Sequence, residues 1–193
     1  MLGAAFSVLL SVVSSSPGLR VKSGTRAPRA SNAFSWLRPH AAPVGWIGTS
    51  IESGGAVLFH PPGWKQTPGD KGTLSFSLRD GRGLYRGYLN VTPRQGAERL
   101  AGWADFRTTR NRAEGDRRVR EQAAAEGLHF VAAGGSCVID DYLSRVGSNP
   151  YTELACIASG RRYTNVFVGA ALSRDWVRLG PVIERAASAL IER

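Results

Sequence analysis

The sequence predicts an α+β fold: an antiparallel β-sheet of hairpins and a meander, flanked by helices. Three observations predict it. Residues 137–157 read as a hairpin that places the only two cysteines, Cys137 and Cys156, on facing strands. Residues 73–79 alternate Leu74, Phe76 and Leu78 with Thr73, Ser75, Ser77 and Arg79, the period of a half-buried strand. Near the C-terminus, Trp176, Leu179, Val182, Ile183, Ala186 and Leu190 recur at helical spacing.

The hairpin carries the most information. Residues 137–143 and 151–157 are rich in Val, Ile, Leu and Tyr, and the stretch 144–150 between them is rich in turn formers. The register that sets Cys137 opposite Cys156 also sets Val138 opposite Ala155, Ile139 opposite Leu154 and Tyr142 opposite Tyr151. Directly opposed residues have Cβ atoms about 4.5–5.5 Å apart, so a cross-strand disulfide needs only modest adjustment. The alternative is two buried, reduced cysteines that never meet. The same register sets Asp140 against Glu153, which needs a wet face or a nearby cation, and Arg161 and Arg162 follow closely enough to supply one. Adjacent strand residues point to opposite faces, so the pair Asp140-Asp141 is assigned to the sheet surface and not to a metal site.

The other elements follow in order. Residues 46–52 and 56–60 form a first hairpin around Ser53-Gly54-Gly55. Pro61 and Pro62 stop its second strand, because proline cannot donate to a ladder, and Trp64 then enters the core. After the alternating strand, Asp80-Gly81-Arg82-Gly83 turns the chain into a strand over 84–91. Gly81, Gly83 and Gly87 join strand to strand and do not make a phosphate loop. Asn90-Val91-Thr92 matches a glycosylation sequon but is followed by Pro93. A helix is predicted over 95–113, capped by Thr92, with Pro93 in its first turn. Its apolar stripe is Leu100, Trp103, Ala104 and Phe106, and Arg99, Arg107, Arg110 and Arg112 project elsewhere. Residues 119–131 are ambiguous: 119–125 suit an extension of the helix, while 128–131 read as a strand. Residues 159–161 turn into a strand over 162–171, which completes a meander. The terminal helix starts near Ser173-Arg174-Asp175-Trp176, and Gly180-Pro181 is expected to split it.

The 193 residues include 25 Lys and Arg against 15 acids, for a net charge of +10. Half of that excess comes from Arg20, Lys22, Arg26, Arg29 and Arg38, since no acid precedes Glu52. Residues 1–16 read as a signal-peptide-like or anchoring segment: the apolar run 2–13 is shorter than the roughly 20 residues of a membrane span. No basic residue precedes that run, so a start upstream of Met1 is one explanation, and an apolar cytoplasmic tail is the competing one. Residues 17–44 read as a flexible basic linker from which Trp36-Leu37 can pack back, and 45–193 as a single domain. A disulfide belongs in an oxidising compartment, so an extracytoplasmic location is expected, secreted or tethered by the N-terminal segment.

The basic cluster Arg107, Arg110, Arg112, Arg117, Arg118 and Arg120 is a candidate surface for an anionic partner. A solvated, partly ion-paired face is the simpler reading. Nucleic acid is disfavoured, because the neighbouring aromatics belong to the buried stripe and do not interleave with the arginines. His40, His60 and His129 are isolated, with no metal-ligand spacing, and His60 reads as an edge residue. No catalytic motif is present, so no catalytic residue, metal or cofactor is assigned.

The segment Ala56-Val57-Leu58-Phe59-His60-Pro61-Pro62-Gly63-Trp64, the Tyr142 strand, residues 163–171 and Asp175-Trp176 before an amphipathic helix carry a resemblance. The order over 45–193 resembles the superfamily of the photosystem extrinsic subunit PsbP, the nuclear-import Ran-release factor and the mycobacterial-type lipoprotein LpqN. That resemblance implies a PsbP-like α/β/α sandwich: a curved antiparallel sheet with helices on both sides. It also implies an exported, actinobacterial-type member that binds, scaffolds or senses a protein or small ligand without catalysis. The competing function is an enzyme that acts on an anionic cell-envelope substrate through the arginine-rich face.

Overall fold

The structure, a computed structural model, describes residues 32–193. The signal-like segment and most of the basic linker lie outside the described residues. Two antiparallel sheets carry the fold. The first pairs β1 (Ile47–Ser50) with β2 (Ala56–His60) and β2 with β10 (Ile191–Glu192). The second has seven strands: β3 (Lys65–Thr67), β4 (Leu74–Arg79), β5 (Tyr85–Pro93), β6 (Arg117–Phe130), β7 (Ala133–Leu143), β8 (Pro150–Ser159) and β9 (Thr164–Leu172). Their spatial order is β3-β4-β5-β9-β8-β7-β6, and the sheet is open. The predicted α+β class holds, with α1 (Trp103–Ala113) against β6, β7 and β8 and α2 (Trp176–Ser188) against β9, β8 and β2.

The predicted hairpin register is the observed one. Cys137 pairs with Cys156, Ile139 with Leu154 and Tyr142 with Tyr151. The cysteines are bonded, with Cα atoms 4.1 Å apart. Side-chain alternation then separates two cores. Cys137, Leu154, Cys156, Ala158 and Phe167 pack with Leu179, Ile183 and Leu190 of the α2 side. Val138, Ala155, Ile157 and Val168 pack with Trp103 of α1 on the other face. Close seating of α2 depends on Gly169 of β9, where a Cβ would lie 2.3 Å from the Ile183 Cγ2 atom.

Several boundaries differ from expectation, each for a physical reason. Helix α1 starts at Trp103 and not at residue 95, because Thr92 and Pro93 stay in the β5 ladder, paired with Val166 and Asn165 of β9. Gly102, at φ 73°, then makes the left-handed entry to the helix. Residues 117–130 are one long strand despite Ala123-Ala124-Ala125, since pairing with β7 outweighs local helix preference. Helix α2 runs unbroken through Gly180-Pro181. Pro181 forfeits only the bond to the carbonyl of Val177, which lies on the exposed face where solvent can reach it. The packed core also begins before residue 45, because Phe34 and Leu37 are buried in it. No helix among the described residues is long and apolar enough to cross a membrane.

Candidate functional site: a cleft beside a buried charge cluster

Helix α1 has a buried face unlike that of an ordinary amphipathic helix. Trp103, Arg107 and Asn111 recur every fourth residue, so all three point down onto β8. The Trp103 indole Nε1 donates to the Ala155 carbonyl at 2.9 Å. Arg107 grips Glu153 with two bonds, Nε to Oε1 at 2.7 Å and Nη2 to Oε2 at 3.0 Å. Asn111 Nδ2 donates to Oε1 at 3.4 Å, and the hydroxyls of Tyr88 and Tyr142 each donate to Oε2 at 3.3 Å. Glu153 is 1% exposed, and this ring of donors is what makes its burial tolerable.

The electrostatics follow from that enclosure. Burial disfavours the Arg107 charge, yet Glu153 more than offsets this and the net shift of Arg107 is upward. Burial and the neighbouring Glu153 raise the Tyr88 hydroxyl, and burial with the Tyr88 and Glu153 neighbours raises Tyr142, so both stay protonated donors. Asp140 faces Glu153 across the ladder, is fully buried, and has no hydrogen-bond partner for either carboxylate oxygen. Burial, with Glu153 as the next cause, pushes its pKa up to about 7.

Helix α1 covers β6 to β8 and leaves part of β5 and β9 uncovered. An open cleft of about 590 Å³ lies there, with Tyr88, Asn90 and Thr92 on its floor and Phe106 and Arg107 on the helix wall. The loop after β5, with Gln95 and Glu98, closes one end. Arg107 therefore belongs to both the cleft wall and the charge cluster. A second concavity of about 450 Å³ lies behind α2, between Trp36, His40 and Pro43 on one side and Pro181, Glu184 and Arg185 on the other.

The six predicted arginines separate. Arg107 is committed beneath the helix, and Arg110 lines the cleft and pairs with Glu114 at 2.6 Å. The other four gather where α1 ends and β6 begins. Arg112 donates to the Val119 carbonyl at 3.1 Å, Arg117 bonds Ser148, and Arg120 lies 3.6 Å from Asp141. Arg118 is exposed in a strand bulge at φ 54°. Arg161 and Arg162 are not the cations that serve the Asp140–Glu153 pair; Arg107 is, because helix packing brings it over the middle of β8. Asp140 is correspondingly not on the sheet surface, whereas its neighbour Asp141, on the opposite face, accepts from Thr152 at 2.7 Å. His60 is not an edge residue: β2 is the central strand of its sheet, and the buried ring stacks on Phe76 at 3.7 Å. His129 is exposed on β6, and neither histidine lines the cleft. Asn90 of the sequon spends its amide on Ser75 at 2.9 Å. Among the described residues, no group of three His, Cys, Asp or Glu is placed to hold a metal ion.

The sequence reading missed the cluster because Arg107 and Asp140 read as surface residues and Arg161 and Arg162 read as the nearest cations for the Asp140–Glu153 pair. The signal that could have found it is the spacing Trp103, Arg107, Asn111, which puts all three on the face of the buried tryptophan.

No family model matches the chain, and no curated protein matches it. Solved structures do. The cyanobacterial PsbP protein CyanoP from Synechocystis sp. PCC 6803 aligns with a TM-score of 0.56 at 17% identity, over 78% of this chain and 94% of its own. LpqN of Mycobacterium tuberculosis, described as involved in cell envelope biogenesis, aligns at 0.47 and 11% identity, over 76% and 89% of the two chains. The Saccharomyces cerevisiae Ran-binding protein Mog1p aligns at 0.47 and 8% identity, over 75% and 86%. The chain thus has the PsbP-like fold, an open antiparallel sheet with one helix on each face.

Proposed function

We propose that this chain is an exported, non-catalytic binding domain that takes a small ligand in the cleft between α1 and strands β5 and β9. The cleft carries the reading. Its volume of about 590 Å³ falls within the range of small-molecule sites, and it sets an aromatic ring, Phe106, opposite the short polar side chains Asn90 and Thr92. The cations at its wall are already engaged, Arg107 by Glu153 and Arg110 by Glu114. The ligand is therefore held by ring contact and neutral hydrogen bonds more than by charge. The Cys137–Cys156 bond supports the extracytoplasmic part.

The test is a fragment library screened by proton–nitrogen correlation NMR on the labelled protein. Binding should move the amides of Tyr88, Asn90, Thr92 and Val168, and Phe106→Ala should weaken the same fragments. Fragments that map only to the concavity behind α2, or that ignore Phe106→Ala, would contradict the reading. A second surface has its own observation: Arg112, Arg117, Arg118 and Arg120 are all exposed where α1 ends and β6 begins, and Arg118 holds a left-handed backbone that favours glycine. We propose this junction as the contact for an anionic partner. Arg118→Ala should reduce binding to a heparin column and lower the salt needed for elution, whereas unchanged elution argues against it.

A further inference from the structure

Three carboxylates stand in one row across the sheet. Glu121 of β6 pairs with Asp140 of β7, and Asp140 pairs with Glu153 of β8. The next position in that row, on β9, is Ala170. Like charges directly opposite each other repel, and this row runs beneath a helix. Glu121 reaches solvent at the sheet edge, but Asp140 and Glu153 do not.

The groups that face Asp140 are few. From α1 come Arg107, which spends two bonds on Glu153, and Asn111, whose amide nitrogen also goes to Glu153. The Asn111 carbonyl oxygen is itself buried without a partner. Arg112, near the end of α1, hydrogen-bonds the Val119 carbonyl. From β5 and β7 come the hydroxyls of Tyr88 and Tyr142, both turned to Glu153. From β6 comes Glu121, an acid. One largely enclosed cation, Arg107, thus stands between two buried acids, and every donor that reaches a carboxylate in the cluster is committed to Glu153.

We infer that Asp140 is a buried proton-binding site that latches α1 to the sheet. With its proton, Asp140 is a neutral acid, and the Arg107–Glu153 pair beneath the helix is balanced. When the proton leaves to solvent, a second carboxylate is stranded beside Glu153 with no donor of its own. That charge is relieved only by admitting water under α1. Arg107 lines the cleft as well, so the proton state of Asp140 reaches the cleft wall whatever the cleft binds. The elevated Asp140 pKa, about 7 through burial and then Glu153, places the switch in the neutral range. Among the described residues, Glu192 is the only other buried carboxylate raised to about 7, but it sits with Asn165 on the face of the sheet away from α1 and gives an internal control.

The test is a carbon-detected carboxyl NMR titration of the full chain, with the Trp103 indole N–H as the readout of the α1 seat. The inference expects Asp140 to titrate near neutral pH, roughly two or more units above an ordinary aspartate. The Trp103 indole signal should move with the same midpoint, and Glu192→Gln should leave that movement in place. Glu153→Gln should lower the Asp140 midpoint. The wild-type titration needs no variant, so a poorly folding mutant does not decide the matter. An Asp140 midpoint near 4, or a Trp103 indole that does not follow Asp140, would overturn the inference.

Discussion

The two faces of strands β7 and β8 differ in almost everything except the backbone that carries them. On the α2 face stand Cys137, Leu154, Cys156 and Ala158, closed by Ile183 and Leu190 and pinned by the disulfide. One residue along each strand, on the α1 face, stand Asp140, Tyr142 and Glu153, closed by Arg107 and Asn111. The first face is apolar and covalently stapled around the bond, with its one carboxylate raised to about 7 among the described residues, Glu192, held by Asn165 away from the cysteines. The second is held by directional bonds around a buried charge, beside a cleft. The strand period of two residues thus lets one hairpin serve as structural staple on one side and as polar site on the other.

This contrast can be broken from either side. The largest effect is expected on the α1 face. Arg107→Ala strands Glu153 without its cation and should cost about 3–5 kcal/mol in urea unfolding, whereas Arg107→Met combined with Glu153→Gln should recover much of that loss. A recovery of nothing would mean that the helix contact, and not the charge, sets the cost.

Next comes the pH dependence. The folded-state pKa of Asp140 lies above its unfolded value, so the folded state holds more protons between about pH 4 and 7. Its contribution to stability is therefore full below about pH 4 and is lost as pH rises through about 7. Asp140→Asn removes that loss, and its stability relative to the wild type should improve from pH 4 to pH 8 by at most on the order of 4 kcal/mol. Denaturation midpoints measured across that range check it, and a constant difference between the two proteins would contradict it. On the α2 face, replacing both cysteines by alanine opens a loop with a sequence separation of 19 and should cost roughly 3 kcal/mol. That cost should be the same at pH 5 and pH 8, since no titrating group touches the bond.

What could be read from the sequence follows the same division. The hairpin register was legible because apolar pairs, tyrosine pairs and cysteines all agree on one alignment. The terminal helix was legible in its stripe, although Pro181 suggested a break that a single exposed carbonyl does not enforce. The α1 face was hidden for two reasons. Thr92-Pro93 imitates a helix entry, but β9 is there to hold both residues in a strand. Charged residues also carry no mark of burial: Arg107 and Arg110 look alike in sequence, and only the fourfold spacing from Trp103 separates the buried one from its exposed neighbour. Likewise the alanines of β6 suit a helix, and only a long β7 beside them makes a strand.

Amide hydrogen exchange of α1 and α2, expressed as protection factors to remove the intrinsic pH effect, compares the two faces in one experiment. In the Glu192→Gln background, which removes the carboxylate raised to about 7 on the α2 side, the amides of 103–113 should lose protection between pH 5 and pH 8 while those of 176–188 keep theirs, and adding Asp140→Asn should abolish the difference. Equal behaviour of the two helices across that range would contradict the assignment of a proton-sensitive, functional face to α1.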